Sequence, residues 1–391
     1  MTATVNSGTQ RLNVRAGPGT TYGVVGSLTS GNRVTATARN AAGDWLRIAA
    51  ANLPGGAGWV SAAYLTVQGS AADLPVAADV QPATSAPRPA ASTAQPVAGL
   101  TGKLVFQERS GGAIYLYDLA RGALRTLTTG ADPALSPDGR TVAFWRAEDG
   151  GHSLYLIDSD GSHERRILAR GEALRAPAWS PDGGKIVFSH ISGQRKCRDV
   201  GYNICMPDVF PYNLMFPLKV ADAWGLARVD RDGGSYQDIA SVPDAVSPDW
   251  SDRGILYSGV GIQLTQDGPD ADQNRGLIDE YRYQDPASQP GGGRIVFHSL
   301  EKDHWEIFSA NADGTGVVAL TRPETILVDV LPHNVAPDWS PDGRHIVFLS
   351  NRSGRWQLWV MDAGGENQRA LPIDAPIEYN YQAEQVVSWG R

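Results

Sequence analysis

The chain has 391 residues, enough for two or three domains, and a formal net charge of −8. That balance excludes a nucleic-acid binder, because a polyanion needs a basic footprint. The longest apolar runs fall short of the ~18 residues that a membrane-spanning helix requires. Gly 44 and Pro 25 signal many turns, and Trp 11 with Tyr 13 against Met 4 favours strands over helices.

Three regions separate by composition. Residues 1–68 alternate short strand-like runs with Gly-rich turns. They hold five arginines (Arg11, Arg15, Arg33, Arg39, Arg47) and one acid (Asp44), a net of +4, so the remainder carries −12. A basic module beside an acidic body suggests two different partners; ordinary solvated surface is the competing reading. Residues 69–99 contain ten Ala, five Pro and no aromatic residue. Such a segment cannot bury enough apolar area to fold and reads as a disordered linker. Residues 100–391 are β-rich and repetitive.

In the first region, Leu12 and Val14 alternate with polar residues, as a half-buried strand requires. Gly17-Pro18-Gly19 then turns the chain. Strands are expected around Val24-Val25 and Leu28, at Val34–Ala38, at Trp45–Ile48, at Gly58-Trp59-Val60 and at Tyr64-Leu65. Five or so short strands in this length make a small barrel. The three motifs Leu12–Gly19, Gly43–Ile48 and Gly58–Leu65, in that order, resemble a bacterial SH3-like domain over about residues 3–67. The resemblance implies an extracytoplasmic module that binds wall components or a partner and performs no chemistry. Tyr22, Trp45 and Trp59 are its candidates to line a groove. Packing of Trp45 and Trp59 in the barrel core is the competing reading.

The third region is built from repeats. Pro133–Gly139 precedes Val142-Ala143-Phe144, and Pro177–Gly183 precedes Ile186-Val187-Phe188. Pro248–Asp252 precedes Ile255-Leu256-Tyr257, Pro286–Gly291 precedes Ile295-Val296-Phe297, and Pro337–Gly343 precedes Ile346-Val347-Phe348. In the Ser-Pro-Asp-Gly turn, Pro presets φ, Asp bonds nearby backbone N–H groups, and Gly supplies the left-handed exit. Each unit continues with two more strands, such as Ser153–Asp158 and a strand ending near Leu168. Four antiparallel strands in 40 to 50 residues make a propeller blade. The anchors Phe106, Phe144, Phe188, Tyr257, Phe297 and Phe348 count six blades. The first lacks its own innermost strand, and Val386–Gly390 is the candidate to supply it, closing the ring.

These repeats resemble the TolB-type six-bladed β-propeller family over about residues 100–391. The fold class expected for the chain is therefore all-β: a small SH3-like barrel, an Ala/Pro linker, and a six-bladed propeller closed by a C-terminal strand. The resemblance implies periplasmic or extracellular scaffolds that bind proteins, peptides or glycans. Some relatives are fused to peptidases, or are lyases with metal at the funnel.

Several features depart from the repeat. Residues 191–223 form an insertion in the third unit, with Cys197, Cys205, Met206, Phe210, Tyr212, Met215 and Phe216. A partner-binding projection stapled by a Cys197–Cys205 disulfide and a lid packed on its own propeller are both open readings. Met215, Phe216, Phe210 and Tyr212 are the ligand candidates there. In the fourth unit, oxygens at alternate positions (Asp270, Asp272, Asn274) suit calcium. Arg275 and Tyr281 stand where a helix–loop–helix calcium loop needs Gly and Glu, so only a looser calcium loop or a solvated acidic loop remains. His190 and His298 follow equivalent anchors and could face the funnel, with an ordinary polar position as the competing reading. The sequence has no Gly-x-Ser-x-Gly elbow and no phosphate-binding Walker loop.

No leader is visible in Met1–Val5. The families and the two spaced cysteines favour an extracytoplasmic protein whose signal peptide is absent from this chain. The expectation is a non-enzymatic binding or scaffold protein. Its partner would be a cell-wall glycan or another cell-surface protein, with oligomer formation open. A metal-dependent polysaccharide lyase or hydrolase in the funnel, and a structural subunit of a surface assembly, are the alternatives.

Overall fold

The computed structural model describes residues 1–6, 12–15, 17–18, 24–40, 43–49, 57–77, 97–148, 151–199, 205–208, 212–323, 331–379 and 385–391. The chain divides into two compact units, Met1–Ala90 and Ala91–Arg391.

In the first unit, seven strands among the described residues form one sheet. Their order across it is Val24–Leu28, Leu12–Arg15, Ala57–Ser61, Trp45–Ala49, Arg33–Arg39, Thr2–Val5 and Leu65–Val67. Period-two alternation drives the curl: Arg33–Arg39 buries Val34, Ala36 and Ala38 and exposes the residues before each. Ala3, Val5, Val14, Val34, Leu46, Ile48 and Val60 meet in the core. Leu74 joins them, and Val76 bridges Arg39. The module therefore runs several residues past position 68, where composition alone had placed the start of the linker. Ala and Pro abundance hid one buried leucine. The rest of the expected linker, 78–96, lies outside the described residues.

Among the described residues the second unit holds six sheets. The first blade consists of Val387–Gly390, Lys103–Gln107, Ala113–Asp118 and Ala123–Thr129. The inner strands of the other five are Ala131–Leu135, Leu174–Trp179, Val246–Ser251, Tyr283–Ser288 and Asn334–Trp339. These six inner strands touch their neighbours in a closed cycle. The C-terminal strand pairs with the entering one, Val387↔Phe106 to Gly390↔Lys103, so the first blade has no open inner edge. All six aromatic anchors are fully buried on the second strands. Each contributes roughly 1.5–3 kcal/mol by leaving water.

The repeated turn works through its side chains. Ser136, Ser180 and Ser340 donate from Oγ to Oδ1 of Asp138, Asp182 and Asp342 at 2.5, 2.6 and 2.6 Å. The same Asp oxygens accept from the backbone of Arg140, Gly184 and Arg344. The same serine oxygens accept from Thr141, Lys185 and His345 N–H groups. The closing Gly139, Gly183 and Gly343 sit at φ +67, +69 and +67°, a region that penalises a Cβ.

Blade three carries a ribbon. Lys185–Asp199 and Leu218–Asp230 stay paired from Lys185↔Asp230 to Arg198↔Leu218, and Cys205–Pro207 adds a short third strand at the far end. The insertion is thus largely an extension of two blade strands rather than a loop. Its polar run Ser192–Lys196 lacks the apolar alternation that marks a strand.

Deletion of residues 386–391 opens the first blade along Lys103–Gln107. We expect a strong loss of thermal stability and a broadened transition, read by differential scanning calorimetry. Ser340→Ala removes both side-chain bonds of one turn and should cost about 1–2 kcal/mol in chemical denaturation.

Candidate functional site

The inner strands of blades two to six each contain a bulge. Their registers slip between Ala131/Ala134, Arg175/Ala178, Val246/Asp249, Gln284/Ala287 and Val335/Asp338. One residue in each bulge has positive φ: Asp132, Ala176, Ser247, Asp285 and Ala336. A bulge takes backbone N–H groups out of the ladder, and buried N–H groups need acceptors. Here a preceding blade supplies them. Gln107 Oε1 accepts from Asp132 N (2.6 Å) and Asp132 Oδ2 from Ala176 N (2.8 Å). Ser258 Oγ accepts from Asp285 N (2.8 Å) and His298 Nδ1 from Ala336 N (3.2 Å). Three residues further along, Asp249 accepts from Ser288 N and Asp338 from Trp389 N at 2.8 and 2.7 Å. The indoles of Trp179 and Trp339 donate back to Ala134 and Ala287 carbonyls.

This arrangement gathers four carboxylates at the throat. Asp132 and Asp285 are buried, while Asp249 and Asp338 are half-buried in the wall. Burial, reinforced by Asp132, Asp338 and Asp249, pushes Asp285 up to about 8. Burial first and Asp249 second push Asp338 up to about 7. Asp132 and Asp249 are raised as well, chiefly by burial. The throat opens into a funnel of about 810 Å³ on the face of the Ser-Pro-Asp-Gly turns, edged by Arg231, Arg253, Arg294 and Arg391. Arg231 donates to Thr141 Oγ1 and Arg294 to the Ala363 carbonyl, so these two are held, while Arg253 is exposed. Asp138, Asp182, Asp249, Asp252 and Asp338 line the same cavity, so this Trp-walled mouth has mixed charge and suits polar protein segments and glycans.

The throat acids escaped sequence reading although the repeats signal them. Asp132 and Asp285 open equivalent Asp-Pro-Ala triplets, and Asp249 and Asp338 sit in equivalent Pro-Asp-Trp triplets. Of the two histidines, His298 touches the throat from the second strand of blade five, its Nδ1 accepting from Ala336 N and lying 3.9 Å from Asp285 Oδ2. His298 is buried inside blade five, edge-on to Trp305, and burial lowers it to about 3. His190 lines a cavity at the foot of the ribbon. Neither edges the funnel mouth, because each belongs to a second strand, one layer out from the axis.

In the first unit, Trp59 is 2 % exposed and lies on the opposite face of its strand from the core residue Val60. Arg15 and Arg47 stand opposite it on the two flanking strands. Trp45 is half-buried on the same face as Arg47, away from Leu46 and Ile48, so it does not pack in the core. Tyr22 and Phe210 lie outside the described residues, as does the side chain of Tyr212. Met215 is 67 % exposed and Phe216 half-buried. Leu214, at 78 % exposed, was missed. Cys197 is buried on the ribbon, and the backbone of Cys205 lies on the strand paired beside it.

The calcium candidates Asp270, Asp272 and Asn274 sit around the short turn Ala271–Gln273. Asn274 Oδ1 accepts from the Tyr257 hydroxyl at 2.6 Å, which turns it into the blade. Asp270 closes its own turn through Asp272 N and Gln273 Nε2. Among the described residues no group of three His, Cys, Asp or Glu side chains is disposed to hold a metal, and no helix is long and apolar enough to cross a membrane.

Residues 10–66 match the bacterial SH3 domain family. The second unit has the TolB-like propeller fold. TolB from Acinetobacter baumannii superposes with a TM-score of 0.55 at 14% identity, covering 74% of this chain and 66% of that one. Hydrazine synthase from Kuenenia stuttgartiensis gives 0.54 at 15% identity, covering 74% and 47%. Among curated proteins, the uncharacterized peptidase YuxL of Bacillus subtilis is 26% identical over 189 residues, which is 47% of this chain and 24% of that protein. The uncharacterized protein Atu1656 of Agrobacterium fabrum is 23% identical over 221 residues, 54% and 62%. The matches thus span less than two thirds of either relative. Together they define a bacterial SH3 domain joined to a TolB-like six-bladed propeller.

A carboxyl raised in the folded state favours folding while protonated. Its contribution fades as pH climbs from the unfolded value near 3.8 through the folded value of about 8. Asp285→Asn removes that loss. The variant should melt above the parent at pH 8.5, by about 3 °C or more, and should show little gain at pH 5. A variant that melts lower at pH 8.5 contradicts this account.

Proposed function

We propose that this protein is an extracytoplasmic binding or scaffold protein. Its SH3-like module tethers it to a cell-wall polymer or surface partner, and its propeller presents a funnel face to a protein or glycan. The observation that carries this reading is how the throat acids are used. One oxygen of each of Asp132, Asp249 and Asp338 accepts a backbone N–H group from the next blade, so these acids are engaged in joining the ring. The SH3 match at residues 10–66 and the fold likeness to TolB support the class and the location. For the module, the pairing of Trp59 with Arg15 and Arg47 favours an anionic polymer bearing carboxylates or phosphates.

A Cys197–Cys205 disulfide belongs to the same reading. Its support is the pairing that sets the two cysteine-bearing strands side by side and the bonded sulfur of Cys197. A metal-dependent lyase or hydrolase in the funnel is the second reading, favoured only by the raised acids of the throat.

Co-sedimentation with purified peptidoglycan tests the tether. The full chain should pellet, and Arg15→Glu/Arg47→Glu should lower the pelleted fraction several-fold at low salt. Equal pelleting of both proteins, or none by the parent, removes the module's role. Thiol titration in denaturant should find no free thiol before reduction and two after; two beforehand removes the disulfide.

A further inference from the structure

The insertion does more than project. At its foot, on the opposite face of the propeller from the repeated turns, lies an open cavity of about 1000 Å³. Five pieces of chain wall it: the end of blade two's outer strand, the two arms of the ribbon, blade three's outer strand, and the run into blade four. Without the ribbon arms, Ser192–Gln194 and Asp222–Gly225, the cavity would lose one wall.

Its polar groups are ordered and mixed in sense. The Tyr236 hydroxyl donates to Asp238 Oδ1 at 2.7 Å, and His190 Nε2 lies 3.3 Å from the same oxygen. His190 is buried, and its Nδ1 lies 3.1 Å from the Ile191 carbonyl. Arg170 donates to Glu172 at 3.2 Å and lies over the Tyr236 ring at 4.6 Å. Arg175 similarly covers one face of Trp224 at 3.9 Å. Asp238 keeps 73% of its side chain exposed although its position is fixed by two partners. Planar acceptors, a guanidinium and the exposed amide of Gln194 thus alternate around two aromatic rings.

We infer that this cavity binds a neutral oligosaccharide. Sugar hydroxyls both donate and accept, so they suit a wall that holds ordered donors and acceptors, and sugar C–H groups are drawn to the negative face of an aromatic ring such as Trp224, which lines the cavity. A uronate would meet Glu172, Asp222 and Asp238 as like charges. The inference deepens the glycan-binding reading above and rests on it, but it places the sugar on blade three rather than in the funnel or the module.

The test is calorimetric titration of the full chain with chitotetraose, maltotetraose and cellotetraose, with tetragalacturonate as the anionic comparison. At least one neutral tetrasaccharide should bind. Asp238→Ala should weaken it about tenfold or more, as loss of a charged hydrogen-bond partner does. Gln194→Ala, at an exposed site that folding does not need, should weaken it several-fold. Arg253→Ala, at the funnel mouth, should leave it unchanged, and tetragalacturonate should bind worse. The inference is overturned if no neutral tetrasaccharide binds at millimolar concentration, if tetragalacturonate binds best, or if binding survives both cavity variants. In each of those cases peptidoglycan co-sedimentation still reports separately on the tether.

Discussion

The propeller depends on one constraint: a bulged inner strand withdraws backbone N–H groups from its own sheet, and they need an acceptor that a side chain from a preceding blade supplies in four of the five cases. A buried N–H without an acceptor costs about 1–3 kcal/mol. Five inner strands carry the bulge, each with a residue at positive φ. Gln107, Asp132, Ser258 and His298 answer four of the five bulges from outside the strand concerned. Blade order is thereby written into hydrogen bonds as well as into apolar packing. Blades could slide on greasy faces alone; they cannot slide without orphaning an N–H.

The same constraint explains the acidic throat. An acceptor-only side chain is the best match for an N–H that has no other partner, and Asp is short enough to stay within its strand. Three throat acids serve in this way. Placing four carboxylates together away from water raises them all, and Asp285, which faces the other three, is raised to about 8. The charge at the axis is therefore a by-product of how blades are joined. The funnel's outer edge is set differently, by guanidinium groups held through Thr141 and the Ala363 carbonyl.

How much was legible follows from what each feature leaves in the sequence. The six anchors, the Ser-Pro-Asp-Gly turns and the closing strand were readable because strand period and turn chemistry are local. The SH3-like motifs were readable for the same reason. The throat was not read, since Asp132 and Asp285 acquire meaning only when blades stand side by side. The positions of His190 and His298 along the repeat were legible but their radial layer was not, so only the structure shows that His298 reaches the throat acid Asp285 while His190 lies at the ribbon's foot. Leu74 hid among alanines and prolines. The ribbon read as a loop because Ser192–Lys196 is polar on both faces, as a two-stranded projection into solvent must be.

A ring of equivalent blades offers equivalent surfaces, so individuality has to come from departures. Blade three departs most. Its second and third strands run 15 and 13 residues, against 6 to 8 for those strands in blades two, five and six. The extra length does two separate things. Its far end exposes Leu214, Met215, Leu218 and Val220, a patch whose occupant the chemistry does not name. Its near end turns an ordinary blade edge into a walled recess in which His190, Tyr236 and Asp238 fix one another's positions. Rigid polar groups at a recess are what selective recognition needs, because little ordering remains to be done on binding. The recess is therefore the place where this propeller departs most from its repeats, and the ribbon's foot rather than its tip holds its mutually fixed polar groups.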